Sequence, residues 1–150
     1  MSEPAVYVRI AEGEPLPDIS VYAPFRAVVV LDGPYSPDWQ TEVSDWLVAS
    51  GCHYMMAWGE GCSSWDDSVD YALLAVFDYG EIPDESMVWT TWHEREPLID
   101  VFDFAQFGAM TDLPASAALI LHIGITDRRD EFLRLWADAP TLIAQRDRLN

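Results

Sequence analysis

The chain has 150 residues, of which half are hydrophobic and 13% are aromatic. It carries 26 acidic residues against 8 arginines and no lysine, so its net charge is −18. This composition excludes a disordered chain, and no collagen or heptad period indicates a fibrous one. The charge disfavours binding to nucleic acid or to anionic lipid, because both need a basic footprint.

The sequence predicts no signal peptide, no membrane span and no disulfide framework. The N-terminal residues Met1–Val6 lack the basic and apolar segments of a signal peptide, and no apolar run is long enough to span a membrane. Two cysteines, Cys52 and Cys62, do not form a disulfide framework. We therefore expect a cytoplasmic protein with a single α/β domain over residues 1–150.

Residues 1–24 are predicted to form a short N-terminal β extension. Val6–Ile10 and Ile19–Tyr22 are strand-like runs, and the Gly- and Pro-containing stretch 12–18 between them is typical of a turn. This pattern predicts a hairpin or a pair of edge strands.

Residues 25–150 are predicted to form four successive βα units. In the first, the β-branched apolar run Arg26–Leu31 is typical of a strand buried on both faces. Ser36 is a predicted helix N-cap with Pro37 at the first helical position, and Gly51 ends the helix.

The pattern of strand followed by helix then repeats three times. The remaining strands are predicted at Cys52–Trp58, Met87–Trp92 and Ala117–Ile123. The second helix is predicted to start at Ser64, which resembles a capping box with Asp67. Pro97 starts the third helix and Asp127 caps the fourth, which Pro140 is expected to break. Sequential βα units predict a three-layer, mostly parallel sheet of the Rossmann-like or flavodoxin-like type.

Ligands in open parallel sheets bind beyond the carboxyl ends of the strands. The predicted strand ends contribute a rim made of Asp32, Glu60, Cys62, His93, Glu94, Thr126 and Asp127. This rim is rich in acids and also contains a thiol and an imidazole.

Cys62 is the one candidate nucleophile on the rim. A nearby helix N-terminus lowers a thiol pKa, whereas neighbouring carboxylates raise it. His93 is the candidate base, and Glu60 or Glu94 would orient it, as in a small cysteine-dependent hydrolase or transferase. The turn before Cys62 differs from the Gly-x-Ser-x-Gly elbow, so Cys62 could equally be a structural turn residue.

Metal and cofactor signals are weak in this sequence. The possible zinc ligands, whose spacing fits no zinc-binding pattern, are Cys52, His53, Cys62 and His93. Asp32 and Asp127 could hold Mg²⁺, but a chain this acidic brings carboxylates together by chance. The first βα turn lacks the Gly-x-Gly-x-x-Gly fingerprint, so we predict no cofactor. His122 is expected to be a hydrogen-bonded core histidine.

The surface charge gives the preferred functional hypothesis. Residues 1–126 carry 21 acids and 3 arginines, whereas residues 127–150 carry five of each. The negative electrostatic field of residues 1–126 attracts basic partners. This favours a non-enzymatic protein-binding or regulatory module for a basic protein. The arginines of the C-terminal segment could instead dock on the acidic body of a second copy, which would make a homodimer.

Overall fold

The computed structural model describes residues 4–109 and 117–149, which contain five strands and four α-helices. The strands are β1 (Val6–Ile10), β2 (Phe25–Leu31), β3 (Cys52–Gly59), β4 (Trp89–His93) and β5 (Ala117–Ile123). The helices are α1 (Pro37–Ala49), α2 (Cys62–Val76), α3 (Leu98–Phe107) and α4 (Arg129–Leu149). None of these helices combines the length and the apolar character that a membrane span requires.

All five strands are parallel, and their order in the sheet is β1-β5-β2-β3-β4. The four βα units that begin with β2 therefore follow the order 3-2-1-4 of Rossmann-type sheets, with β1 added beside the fourth. Helices α1 and α2 cover one face and α3 and α4 cover the other. This arrangement confirms the predicted three-layer α/β fold.

Burial explains why the central strands are almost entirely apolar. Every residue of β2 is buried, because helices cover both faces of a parallel sheet. Helix α1 begins as its sequence predicts: the Ser36 hydroxyl accepts a hydrogen bond from the Trp39 N–H, and Pro37 occupies the first turn.

The strand predicted at Val6–Ile10 is present as the edge strand β1, but its predicted pairing with a second strand at Ile19–Tyr22 is wrong. Ser20–Tyr22 forms a short 3₁₀ helix rather than a strand, and β1 pairs in parallel with β5 instead. The hydrophobic partner that β1 needs is thus supplied from the far end of the chain, which local sequence does not reveal.

Two predicted helix boundaries are also corrected. Helix α2 begins at Cys62, with Gly61 as N-cap at φ 76°, and Ser64 donates to the Gly61 carbonyl instead of capping the helix. Pro140 lies inside α4 and does not end it. A proline cannot donate to the carbonyl four residues earlier, and that carbonyl, on Trp136, accepts a hydrogen bond from Gln106 Nε2 of α3 at 3.0 Å.

Candidate functional site at the carboxyl ends of the strands

The crevice between β2 and β5 is the topological switch point of the sheet. The helices that follow these neighbouring strands, α1 and α4, lie on opposite faces. In open α/β sheets such a crevice is the usual position for a ligand. Here it is occupied by a cluster of the protein's own polar side chains.

His122 of β5 lies at the centre of this cluster and is fully buried. Its Nδ1 lies 2.6 Å from the Tyr7 hydroxyl of β1, and its Nε2 lies 3.1 Å from Oδ2 of Asp32, the residue after β2. Arg128 Nη1 lies 2.8 Å from the same carboxylate oxygen. The backbone N–H of Arg128 also donates to the Tyr7 hydroxyl at 3.0 Å.

The donors and acceptors of this cluster form a closed ring. Since the Tyr7 oxygen accepts from the Arg128 backbone, its own proton is free to go to His122 Nδ1. The neutral imidazole then carries its proton on Nε2 and donates it to Asp32, which also accepts from the Arg128 guanidinium. We refer to these four residues, Tyr7, Asp32, His122 and Arg128, as the polar ring.

The electrostatics of the polar ring agree with a neutral histidine. Burial lowers the pKa of His122, against the opposing effect of the Asp32 carboxylate. Burial alone would raise the pKa of Asp32, but hydrogen bonds from Arg128 and His122 hold it below its ordinary value. Arg128 is held in turn by two hydrogen bonds to Glu131 and by the Phe132 ring, 4.5 Å from the guanidinium carbon.

A glycine permits the close approach on which the ring depends. A Cβ at Gly124 would lie 2.7 Å from His122 Nε2, too close for real atoms. The polar ring therefore links β1, β2, β5 and the start of α4 through side chains that have few unused donors or acceptors. The polar ring holds these elements together, and it does not leave His122 free to act as a general base.

The structure does not bring the side chains of Cys62 and His93 together as a hydrogen-bonded dyad. Cys62 belongs to the apolar cluster between the sheet and helices α1 and α2. His93 lies beside Phe104 of α3, on the other face of the sheet, with ring centroids 5.5 Å apart. Its two nitrogens contact Glu96 Oε1 and Thr91 Oγ1, each at 2.9 Å.

The thiol of Cys62 is also poorly placed for attack. The side chain is only 1% exposed. Burial raises the pKa of the thiol, and the Glu94 carboxylate adds to that effect, whereas a hydrogen bond from the His93 backbone partly offsets it. At neutral pH the thiol is therefore protonated and shielded from solvent, the opposite of an activated nucleophile.

The other predicted rim residues are dispersed along the carboxyl edge. Glu60, Glu94 and Thr126 are exposed. Asp127 accepts a hydrogen bond from the Arg129 backbone at 2.8 Å, at the start of α4. Asp32 alone joins the polar ring, so the predicted rim contains one member of the cluster that the fold assembles.

Metal ligands do not converge in the described part of the chain. Over residues 4–109 and 117–149, no group of three or more His, Cys, Asp or Glu side chains is arranged to hold a metal ion. Cys52 is fully enclosed, and burial raises the pKa of its thiol to about 12.

The partners of His122 could not be predicted from the sequence. A histidine inside an apolar strand requires hydrogen bonds, which was the available signal. It does not say which residues supply them, because Tyr7 and Arg128 approach only when β1 and α4 flank β5.

The protein is therefore a three-layer α/β domain whose own polar ring lies at the topological switch point of the sheet. The chain belongs to the family called domain of unknown function DUF7684, whose pattern matches residues 5–139. No curated protein matches it in sequence. One solved structure, described as the crystal structure of an hypothetical protein, is 12% identical over 77% of this chain and 72% of that chain, with a TM-score of 0.44.

Replacing Asp32 with asparagine tests the polar ring. We expect Asp32→Asn to lower the pKa of His122 further, because the carboxylate stabilises the imidazolium form. We also expect the free energy of unfolding to fall by about 1–2 kcal/mol, since a charged hydrogen-bond acceptor is lost. NMR titration of the histidine ring protons and urea unfolding measure the two effects. Asp130→Asn, an exposed change in α4, is the control, and an unchanged His122 titration in Asp32→Asn would contradict the ring.

Alkylation tests the chemical state of Cys62. The pH midpoint of its reaction with iodoacetamide should lie above the ordinary thiol value of about 8.5, because its pKa is raised. Peptide mass spectrometry separates it from the internal control Cys52, and denaturing urea should bring both cysteines to ordinary reactivity. A native midpoint below the ordinary value would restore the case for a nucleophile.

Proposed function

We propose that this domain is a non-enzymatic protein-binding module, and that it takes a basic protein partner on the outer surface of α1 and α2. We call this surface the acidic face. The observation that carries the proposal is that none of its carboxylates forms an ion pair with an arginine within the described residues, whereas arginines in β1, at the start of α4 and within α4 pair with acids close to them.

The acidic face is built from two neighbouring helices without cations. Asp38, Glu42 and Asp45 are exposed on α1 at a spacing that keeps them on one side of the helix. On α2, Asp67 is exposed, whereas Asp66 and Asp70 are half-buried. Asp70 accepts a hydrogen bond from Thr90. No lysine or arginine occurs anywhere between Arg26 and Arg95 in the sequence.

The ion pairs of the described residues lie away from this face. Arg9 pairs with Glu14 in the N-terminal region. Arg128 pairs with Asp32 and Glu131, and Arg146 pairs with Asp100 and Asp147. None of these pairs, among residues 4–109 and 117–149, uses a carboxylate of α1 or α2.

Repulsion within the acidic face is visible at Asp70. Burial is the largest cause of the raised pKa of this carboxyl, and the charges of Asp66 and Asp67 raise it further, while a hydrogen bond from Thr90 opposes them. A cationic surface placed here would relieve that repulsion. Charge complementarity of this kind governs the rate and specificity of association.

A second copy of the chain is one partner with suitable chemistry. Arg129, Arg134 and Arg148 are exposed on α4, and no ion pair within the described residues engages them. They could meet the acidic face of another molecule, which keeps the predicted homodimer as a specific form of the proposal.

The cysteine-dependent hydrolase or transferase stays a prediction with less support. Its proposed nucleophile, Cys62, is buried, and both nitrogens of its proposed base, His93, have other partners. Catalysis would require Cys62 to become exposed and His93 to leave its partners, whereas protein binding requires neither change.

Neutralising the acidic face should weaken partner capture. In the triple variant Asp38→Asn, Glu42→Gln, Asp45→Asn we expect capture of the basic partner from native lysate to fall about fivefold. Exposed ion pairs each contribute a few tenths of a kcal/mol, so the loss of three is of this order. Quantitative mass spectrometry of the captured proteins provides the measurement, and binding should weaken as salt is added.

The matched control changes the same net charge on the opposite side of the sheet. It is the triple variant Asp130→Asn, Asp138→Asn, Asp147→Asn, all on α4. Equal losses in both variants would mean that only total charge matters and would contradict a defined acidic face. Recovery of no partner by the wild type would count against the module itself.

Light scattering tests the homodimer on the protein alone. If α4 arginines dock on the acidic face, the molar mass should be that of a dimer at low salt and approach that of a monomer at high salt. The variant Arg129→Gln, Arg134→Gln, Arg148→Gln should be monomeric at both. A wild-type monomer at low salt would rule out this form of the proposal and leave a different basic partner.

A further inference from the structure

A cleft opens at the amino ends of the strands, on the opposite edge of the sheet from the polar ring. It lies between the C-terminal ends of α1 and α2 and the loop that leads into β4, and its volume is about 460 Å³. This size falls within the range of small-molecule sites. Its apolar lining comes mainly from Val48, Leu73, Val76, Phe77, Met87 and Val88.

His53 supplies a buried polar group in this mainly apolar wall, which also includes Glu85 and Ser86. Its side chain lines the cleft but is only 5% exposed. Nδ1 lies 3.0 Å from the carbonyl oxygen of Phe25. Because a carbonyl can only accept, Nδ1 carries the proton and Nε2 of the neutral ring is an acceptor.

No hydrogen-bond partner engages Nε2 of His53 within the described residues. Burial lowers the pKa of this histidine, so the ring is neutral at pH 7 and Nε2 keeps its lone pair. Nε2 is not one of the fully buried side-chain atoms that lack a partner among the described residues, so it reaches the open cleft, where its lone pair can accept a hydrogen bond from water or from a ligand.

A β-bulge places His53 in this position. Phe25 of β2 pairs with Cys52, whereas the next residue, Arg26, pairs with Tyr54, so His53 is the extra residue on β3. Bulges redirect side chains and are frequent beside functional sites. Gly51 precedes the bulge at φ 97°, a conformation that favours glycine.

We propose that this cleft binds a neutral, mainly apolar small molecule that donates one hydrogen bond to His53 Nε2, as a phenol or aromatic alcohol does. The apolar wall selects the body of such a ligand, and the imidazole acceptor selects its hydroxyl group. Glu85 at the cleft and the net charge of −18 disfavour an anion. The site goes beyond the proposed protein-binding function, because its walls are not the outward carboxylates of the acidic face.

Two probes that differ only in the hydroxyl group test the proposal. We expect 2-naphthol to bind about fivefold to tenfold more tightly than naphthalene, the ratio that one buried hydrogen bond provides. NMR titration gives both affinities. The ¹⁵N resonance of His53 Nε2 should shift when 2-naphthol is added and stay in place with naphthalene.

Variants then locate the binding. His53→Phe keeps a ring but removes the acceptor, so the two probes should bind with affinities within about twofold of each other. Val76→Glu places a charge at the exposed part of the wall and should weaken both probes, whereas the control Ile125→Glu, exposed at the opposite edge, should leave both unchanged.

The result that overturns the proposal is equal affinity of the wild type for the two probes, or no binding of either. Retention of the full difference in His53→Phe would also overturn it. Should His53→Phe fail to fold, the wild-type probe ratio, the His53 resonance and the comparison of Val76→Glu with Ile125→Glu decide the question.

Discussion

A buried imidazole in the middle of a parallel sheet has to be neutral, and both of its nitrogens need hydrogen-bond partners. His122 meets this requirement through Tyr7 on one side and Asp32 on the other, with Arg128 closing the ring. The partners come from β1, from the end of β2 and from the start of α4. The position of the N-terminal edge strand and the starting point of the last helix therefore both depend on satisfying one side chain of β5.

His122 and His53 differ in how many of their ring nitrogens have a partner within the protein. Both rings are buried, and burial lowers both pKa values. His122 has a protein partner at each nitrogen, and its ring fills the crevice where open α/β sheets ordinarily bind ligands. His53 has a partner at one nitrogen and lines an apolar cleft with the other unbonded. The small-molecule site proposed for this fold therefore lies at the amino edge of the sheet, beside His53.

The alternation of strands and helices could be predicted from sequence because each βα unit carries its own signals, such as Ser36 before Pro37. The same local reasoning failed at Pro140, because Gln106 on another helix donates to the Trp136 carbonyl the hydrogen bond that the proline cannot donate. The side chains of Cys62 and His93, the predicted nucleophile and base, are kept apart for a related reason. Strand ends predict which residues reach the carboxyl edge, but the pairing of β4 with β3 decides the face, and it sends His93 and Cys62 to opposite sides.

The small number of arginines explains why the acids of α1 and α2 have no ion-pair partner within the described residues. With 8 arginines for 26 acids, most carboxylates cannot have an arginine of their own as a partner. Arg128 and Arg146 are each engaged by two carboxylates, and neither lies near the acidic face. Self-repulsion of unpaired charges destabilises the compact state. A basic partner of the proposed kind would neutralise them and stabilise the folded domain, because a ligand that binds only the native state shifts the folding equilibrium toward it.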